Sequence, residues 1–281
     1  MFNLSVIRSL LRKVNFKGKG RLVKLIFPRP FVGVIPYKDS LIEVNTENLI
    51  DWSIYWFGGY EDDINWVIPY FVKDDSTCID VGANIGVYSI MLARMARKVV
   101  AVEPHPEFRE HLSRNISING FKNVDVHSCA ISLKKGIATL YSPNQSMKNK
   151  TATLKNVTPY IPEQSIEISV ELKTLDSLCE NEHDVGFIKI DCDWYDAEII
   201  LSGGATIRKH RPVILFEDLG SFPEGWDKSD DVESTYVQAY EMLESLGYRL
   251  FKVLDHSLVS EKRKRGVLQN MLALPSGFYG S

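Results

Sequence analysis

The chain has 281 residues, of which 44% are hydrophobic and 25% are charged, and its formal net charge is −3. This composition excludes a disordered chain, and no apolar run approaches the ~20 residues that a membrane-spanning helix needs. The four cysteines form no C-x-x-C pair, and the first residues lack the uninterrupted apolar core of a signal peptide. We therefore expect reduced thiols in a cytoplasmic protein.

The leading segment, residues 1–29, is strongly basic. It carries eight Lys or Arg and no Asp or Glu, which leaves a net charge of −11 on the remaining chain. Such a segment could associate peripherally with an anionic membrane at its cytosolic face. The alternative is a partly helical arm that packs on the domain, because Gly18 and Gly20 interrupt any long amphipathic helix.

From residue 77 onward, short apolar runs alternate with helical patterns. The predicted elements are strands over 77–81, 98–102, 124–128, 187–191 and 213–217, helices over 88–93, 106–118, 195–210 and 231–246, and a strand-rich stretch over 137–172. This alternation predicts an α/β fold with a parallel sheet between helices. The runs 248–254 and 270–275 should close it as an antiparallel hairpin. We expect an extension over 1–75 that packs on one domain over 76–281.

A glycine-containing loop follows the first predicted strand. It reads Asp80-Val81-Gly82-Ala83-Asn84-Ile85-Gly86, so the dinucleotide fingerprint G-x-G-x-x-G is absent. Glu103 ends the second strand about 20 residues later, where an acid is the expected partner of ribose hydroxyls. Loop and acid together predict a ribose-bearing cofactor that lacks a pyrophosphate. The plainer interpretation is a tight strand–helix turn and a surface Glu.

Several segments, in order, resemble the FkbM family of S-adenosylmethionine-dependent O-methyltransferases. They read WFGGYE, CIDVGANIGVYS, AVEPHPE, FIKIDCDWYDAEIILSGGA, RPVILFE and NMLALP. The resemblance covers roughly residues 55–275. It implies a class I methyltransferase fold, which is Rossmann-like with seven strands, the last of them antiparallel. It also implies methylation of a hydroxyl, either of a sugar in a glycan or polysaccharide or of a natural product.

The resemblance further implies which residues hold S-adenosylmethionine. Asp80 and the loop backbone would hold the methionine moiety, and Glu103 would bind the ribose. The remaining implied cofactor contacts are Gly82, Ala83, Asn84 and Gly86 in the loop, Pro104, His105, Ser128, Cys129 and Ala130 around the adenine, Asp191 at the fourth strand, and Glu61 upstream. Asp125 lies too early in the chain for the adenine contact that many methyltransferases of this fold make with an Asp.

Three carboxylates follow the fourth predicted strand, at Asp191, Asp193 and Asp196. The family usually reads K-I-D-V-E-G-x-E here, so the last two stand where Glu is usual. Asp191 is the first candidate for the base or for orienting the nucleophile, and Asp193 is the second. An Asp of ordinary pKa, ~3.9, is a weak base. We expect Asp196 to be a solvated residue at a helix N-terminus.

Two features near these acids leave alternatives open. Trp194 stands where the family has Gly, and it is either an acceptor-binding platform or a residue turned into the core. A histidine would be a better base at neutral pH; the available ones are His105, His127, His183 and His210.

The acceptor pocket should come from the N-terminal region, residues 137–172 and residues 221–230.

Other functions remain open at this point. Asp191 and Asp193 form a hard oxygen pair that Mg²⁺ or Mn²⁺ accepts, and D-x-D is also the signature of metal-dependent glycosyltransferases. A catalytically inactive binding scaffold is a further alternative. No nucleic-acid partner is expected, because the main domain is acidic and the basic cluster 262–265 is short. The sequence leaves the oligomeric state undetermined.

Overall fold

The computed structural model describes most of the chain. The described residues are 4–13, 18–143, 152–154, 165–218, 229–260 and 269–278. The basic cluster 262–265 and nearly all of the segment 221–230 lie outside them. None of the described helices is both long and apolar enough to cross a bilayer.

The N-terminal region forms short helices and one hairpin. Its elements are α1 (Leu4–Lys13), α2 (Lys19–Ile26), β1 (Val32–Tyr37), β2 (Ser40–Asn45), α3 (Leu49–Phe57), α4 (Asp62–Asn65) and α5 (Val67–Phe71). The antiparallel pairing of β1 with β2 was not predicted. Gly18, at φ +92, precedes α2 as expected of a helix-interrupting residue. Gly20 lies inside α2. A Cβ at this position would come 3.1 Å from Cη2 of Trp52, so the close packing of α2 on α3 favours glycine here.

Cationic side chains of the two leading helices, α1 and α2, contact α3. Nε of Arg8 donates to the carbonyl of Tyr55 at 2.7 Å, and the same guanidinium lies 4.1 Å from that ring centroid. The Lys19 ammonium lies 4.3 Å from the centroid of Phe57. Cation–π contacts of this kind are attractive at up to about 6 Å. The basic segment is therefore packed on the domain along α1 and α2.

The remaining elements alternate between strands and helices. In chain order they are β3 (Thr77–Val81), α6 (Val87–Ala93), β4 (Lys98–Val102), α7 (Pro106–Ile118), β5 (Val124–His127), β6 (Cys129–Ile131), β7 (Gly136–Pro143), β8 (Thr153–Leu154), β9 (Ser165–Lys173), α8 (Leu175–Leu178), β10 (Val185–Ile190), α9 (Asp196–Leu201), α10 (Gly204–His210), β11 (Val213–Asp218), α11 (Ser229–Ser245), β12 (Tyr248–Leu254), β13 (Ser257–Val259) and β14 (Gln269–Pro275). The predicted α/β alternation is confirmed.

The main sheet has the order β13-β12-β14-β11-β10-β3-β4-β5. Strands β11, β10, β3, β4 and β5 pair in parallel, whereas β14 is antiparallel to both of its neighbours. The predicted hairpin is confirmed, and β13 adds a short edge strand to the seven expected. The strand order reverses between β3 and β10, and crevices for ligands form at such a switch point.

Two hydrophobic clusters cover the two faces of the main sheet. Alternate residues of β10 point to opposite faces, so Phe187 joins one cluster and Ile188 the other. The Phe187 cluster includes α6 and much of the N-terminal region. The Ile188 cluster includes α9, α10 and α11. The N-terminal region and the sheet thus share one core.

The strand-rich stretch folds into a separate four-stranded sheet of order β6-β9-β7-β8. One predicted boundary was wrong: the helix expected over 195–210 is divided into α9 and α10. The break lies at Ser202 and Gly203, where a Cβ on Gly203 would approach Cδ2 of Leu175 to 2.5 Å. Ser202 Oγ also accepts from the Leu175 N–H at 3.0 Å. Close packing against α8 therefore interrupts the helix.

Candidate active site

A cavity of about 330 Å³ lies at the carboxyl ends of β3, β4 and β10. Its wall comes from the glycine loop, the start of α3, the small sheet and the segment after β10. The lining residues are Leu49, Ile50, Tyr60, Val81, Gly82, Ala83, Asn84, Val87, Tyr88, Val102, Glu103, Pro104, Phe108, Cys129, Ala130, Ile131, Leu140, Ala152, Leu154, Lys189, Asp191, Cys192, Asp193 and Tyr195. This size and mixed lining suit a small-molecule ligand.

The glycine loop turns sharply under the cavity. Gly82 has φ +79, and a Cβ there would lie 2.0 Å from the carbonyl oxygen of Asp191. Gly86 has φ +90, and a Cβ there would lie 2.5 Å from Cδ1 of Leu112. Both positions favour glycine, which has no Cβ and adopts positive φ at little cost. The two glycines let β3 pass into α6 directly beside β10.

Glu103 is fixed at the end of β4. One carboxylate oxygen accepts from the backbone N–H of Asn84 and the other from that of His105, each at 2.8 Å. Burial raises the pKa of Glu103 to about 7, although these hydrogen bonds act to lower it. The side chain is buried, so the interpretation as a surface Glu was wrong. Its position at the strand end is the one expected of a ribose-binding acid.

A buried lysine lies between two of the carboxylates. Nζ of Lys189 is 3.1 Å from Oδ2 of Asp191 and 3.9 Å from Oδ1 of Asp80. It also lies 4.2 Å from the ring centroid of Tyr88. Burial lowers the pKa of Lys189, but the charges of Asp191, Asp80 and Glu61 outweigh it and raise that pKa. The ammonium stays protonated and balances part of the negative charge.

The N-terminal region supplies one carboxylate to this network. Tyr88 Oη donates to Oε2 of Glu61 at 2.8 Å. Burial, with the charge of Asp191 adding to it, raises the pKa of Glu61. Glu61 itself adopts φ +52 just before α4. It does not line the cavity but lies behind Tyr88, which does.

The acids after β10 lie close to one another, with Asp191 and Asp193 half-buried and Asp196 fully buried. Burial, with the charge of Asp191, raises the pKa of Asp193 to about 6. Asp196 accepts from the backbone N–H groups of Cys192 at 3.1 Å and Glu217 at 3.0 Å. Its carboxyl is fully buried, which raises its pKa to about 7. Asp196 does begin α9, but the expectation that it is solvated was wrong.

Trp194 has a backbone conformation that favours glycine. Its φ is +72, and that of Asp193 is +34. Bulky side chains rarely adopt positive φ, which explains why glycine is usual in the family at this position. The ring of Trp194 is half-buried and is not among the residues that line the cavity. The neighbouring Tyr195 lines it instead.

The structure brings most of the predicted site residues together. Those that line the cavity are Gly82, Ala83, Asn84, Glu103, Pro104, Cys129, Ala130, Asp191 and Asp193. Asp80 is fully buried beneath it, and Gly86 is the N-cap residue of α6. Ser128 is exposed and outside the lining. Asp125 lies on β5 with an ion pair to Lys98 at 3.0 Å.

The histidines considered as bases do not reach the cavity. His127, His183 and His210 are not among its lining residues. His105 is buried and stacked on Phe108, with ring centroids 4.2 Å apart. Burial lowers the pKa of His105. Within the lining, carboxylates are therefore better placed than histidines to accept a proton.

The expected metal ligands do not assemble a metal site. Within the described part of the chain, no group of three or more His, Cys, Asp or Glu is arranged to hold a metal ion. Lys189 already lies beside the first acid of the D-x-D pair and supplies a positive charge there. The residues present therefore do not fit a Mg²⁺ or Mn²⁺ ion.

Sequence reasoning missed three side chains of this site, Tyr60, Tyr88 and Lys189. A signal existed for Lys189, because a lone charge in an otherwise apolar buried strand is almost always paired. The two tyrosines gave no comparable signal. Their contacts join residues that are far apart in the chain, such as Tyr88 and Glu61.

Comparison with known proteins identifies the family. Residues 80–250, more than half of the chain, match the Methyltransferase FkbM domain. The chain belongs to this family. As an FkbM methyltransferase it has the class I, Rossmann-like fold described above, with S-adenosylmethionine as the implied methyl donor. This match favours a methyltransferase over the metal-dependent glycosyltransferase that the D-x-D pair also suggested.

Individual relatives of this FkbM methyltransferase are distant. An uncharacterized protein of Methanocaldococcus jannaschii is 24% identical over 207 residues, covering 69% of this chain and 73% of that protein. Methyltransferase 1 of Beauveria bassiana is 23% identical over 206 residues, covering 65% and 75%. The crystal structure of methyltransferase FkbM from Methylobacillus flagellatus is 13% identical, with a TM-score of 0.47. It covers 79% of this chain and 52% of that one, so the chain spans about half of that protein's length.

The cavity fits the cofactor that the family implies. Asn84 lines the cavity, and its buried Oδ1 has no hydrogen-bond partner in the described structure. Buried polar atoms normally have partners, so this atom indicates a polar ligand. The acidic wall suits a sulfonium and an ammonium group, and the apolar side chains near Glu103 suit an adenine.

Proposed function

We propose that this FkbM methyltransferase methylates a hydroxyl group of a sugar in a glycan or polysaccharide, or of a natural product. One observation carries the proposal. Asp193, whose pKa is raised to about 6 by burial, lines the same cavity as the donor-side acid Glu103. An alcohol must lose its proton as its oxygen is methylated, and a base works best when its pKa is near the operating pH.

The donor half of the cavity would bind the cofactor. Glu103 would accept from the ribose hydroxyls, and Asn84 Oδ1 would meet a polar group of the methionine moiety. Asp80 would act from beneath the cavity through its ion pair with Lys189. When bound, S-adenosylmethionine supplies an electrophilic methyl carbon on a sulfonium, and displacement leaves a neutral thioether. The surrounding carboxylates favour a cationic donor over the neutral product.

The acceptor half would bind and activate the hydroxyl. Asp191 is held by Lys189 at 3.1 Å and can orient the acceptor by accepting a hydrogen bond from a neighbouring hydroxyl of the sugar. Asp193 would receive the proton as the oxygen–carbon bond forms. Most catalysis of an in-line displacement comes from positioning the reactants. Two acids beside the methyl donor, one to orient the acceptor and one to take the proton, would therefore be enough for the reaction.

Aromatic side chains support a sugar as the acceptor. The rings of Tyr60 and Tyr195 line the cavity, and aromatic faces suit the C–H faces of sugars. Tyr195 is tied to the small sheet, since its hydroxyl donates to the carbonyl of Leu154 at 3.4 Å. This contact places the residues after β10 against the strand-rich stretch that was expected to form the acceptor pocket.

Calorimetric titration with S-adenosylhomocysteine, with and without EDTA, tests the donor half. We expect binding that EDTA does not change. Incubation with labelled S-adenosylmethionine and a panel of sugars, lipid-linked glycans and amines then tests the acceptor, with the new bond identified by NMR. An O-methyl product supports the proposal. An N-methyl product from an amine would overturn it, and cofactor binding without transfer to any acceptor would favour an inactive scaffold.

A further inference from the structure

The outer face of α2 carries exposed apolar side chains. Leu22, Leu25 and Ile26 are exposed by 42%, 78% and 57%. Their spacing, three and four residues apart, places them on one face of the helix. Val23 lies on the other side and is buried, with 2% exposed. The helix therefore packs through one face and leaves an apolar face in solvent.

Positive charge surrounds this outer face. Arg21 and Lys24 are exposed on the same helix, and the whole segment 1–29 contains no acid. The remaining chain has a net charge of −11, which follows from the total of −3 and the eight cations of the segment. Apolar side chains flanked by Lys and Arg are the composition of helices that lie in the interface of an anionic bilayer.

The helix α2 packs on α3, whose first residues line the cavity. Leu49 and Ile50, the first residues of α3, line the cavity. Trp52, less than one helical turn further along α3, packs against Gly20 of α2 and lies 5.2 Å from the Lys24 ammonium. Successive turns of a helix are separated by about 5.4 Å. The helix α2 is therefore connected to the rim of the cavity through α3.

We propose that the outer face of α2 docks on an anionic lipid surface. Leu22, Leu25 and Ile26 enter the interface, and the neighbouring cations contact lipid phosphates. Three side chains are too few for a stable protein interface, which buries about 1,200 Å² or more, whereas a peripheral helix combines small apolar area with charge. Docking needs neither bound S-adenosylmethionine nor a methyl acceptor. That it presents the cavity to a membrane-displayed acceptor rests on the proposed function.

Vesicle co-sedimentation of the full chain tests docking without any methyl transfer. We expect binding to vesicles that contain phosphatidylserine and little binding to vesicles of phosphatidylcholine alone. Raising salt from about 0.1 M to about 1 M shortens the Debye length from about 10 Å to about 3 Å and should release the protein. Equal binding to both vesicle types, or to neither, would overturn the proposal.

Variants locate the contact. Leu25→Glu should weaken partitioning by about tenfold or more, because it removes apolar area and adds a negative charge. Arg21→Gln should weaken it by about fivefold, the equivalent of about 1 kcal/mol per cation near the surface. The matched control is Ile137→Glu on the small sheet, at a residue 79% exposed, and it should bind like the parent protein.

Two checks separate docking from its alternatives. All variants should bind S-adenosylhomocysteine as the parent does, which shows that they fold. If Leu25→Glu and Ile137→Glu behave alike, the outer face of α2 is not the contact. If the chain forms a dimer that Leu25→Glu dissociates, a second copy covers this face, and the lipid proposal is wrong.

Discussion

The two halves of the cavity are built in different ways. In the donor half, strand ends and backbone N–H groups fix the key acid, as the two hydrogen bonds to Glu103 show. In the acceptor half, side chains from distant segments meet, and acids such as Asp193 and Glu217 have raised pKa values. The first arrangement suits an invariant ligand held by local geometry. The second suits a ligand that differs between members of a family.

The largest effect should come from the acceptor half. Asp193→Asn removes the proposed base, and asparagine tolerates the positive φ of that residue. We expect kcat to fall by about 10²–10⁴, the usual contribution of general base catalysis. Binding of S-adenosylhomocysteine should change little, because Glu103 and the loop remain intact. Steady-state kinetics and calorimetry measure the two quantities.

The pH profile distinguishes the two acids of the acceptor half. In the parent protein, kcat/KM should rise with pH through about 6, where the half-buried Asp193 loses its proton. Asp191→Asn should lower kcat yet keep this rise, because it removes only an orienting group. In Asp193→Asn the rise should disappear. A rise that persists in Asp193→Asn would show that another group is the base.

The next largest effect belongs to the donor half. Glu103→Gln should weaken binding of S-adenosylhomocysteine by about 10–100-fold, since a hydrogen bond to a charged group contributes about 1.5–3 kcal/mol. At saturating donor, kcat should be largely retained. Calorimetry and kinetics measure the difference, with the exposed Glu241→Gln as control. Equal affinities for the two variants would remove Glu103 from the cofactor site.

A smaller effect should be visible in stability against pH. Burial, together with neighbouring acids, raises the pKa of Glu217 to about 8. Between the ordinary Glu value, ~4.3, and about 8, the folded state binds more protons than the unfolded state. The free energy of unfolding should therefore fall as pH rises through this window.

Urea unfolding near the two ends of this window measures the difference. Glu217→Gln should flatten the decline and stabilise the protein at the alkaline end, because the glutamine carries no charge there. The exposed Glu180→Gln should leave the decline unchanged. A free energy of unfolding that rises through the window would mean that the acids after β10 do not destabilise the ionised Glu217.

The smallest effect should follow Trp194→Gly. Truncation of a fully buried aromatic costs about 3–5 kcal/mol, and the half-buried Trp194 should lose only a part of this. At φ +72 glycine removes backbone strain that costs about 1–2 kcal/mol in an L-residue, which offsets the lost packing. We expect a change in unfolding free energy of less than about 1 kcal/mol. Trp56→Gly, at a buried residue of α3, should be far more destabilising.

The sequence predicted the donor half better than the acceptor half. Strand β3, the glycine loop and Glu103 carry local signals, namely an apolar run, glycines at positive φ and an acid at a strand end. The burial of Asp196 could not be read locally, because its partners include the backbone of Glu217 on another strand. The break between α9 and α10 likewise depends on Leu175, which lies outside both helices.

The hydrogen bond between Tyr88 and Glu61 has a consequence for exchanging parts of this protein. A chimera that joined residues 76–281 to the N-terminal region of another protein would replace the carboxylate that Tyr88 contacts. It would also replace the start of α3, which forms the rim of the cavity. Because Leu49, Ile50 and Tyr60 line the cavity, acceptor preference should change in part with the N-terminal region. New specificities could be assembled by recombination upstream of β3 while the donor half is inherited unchanged.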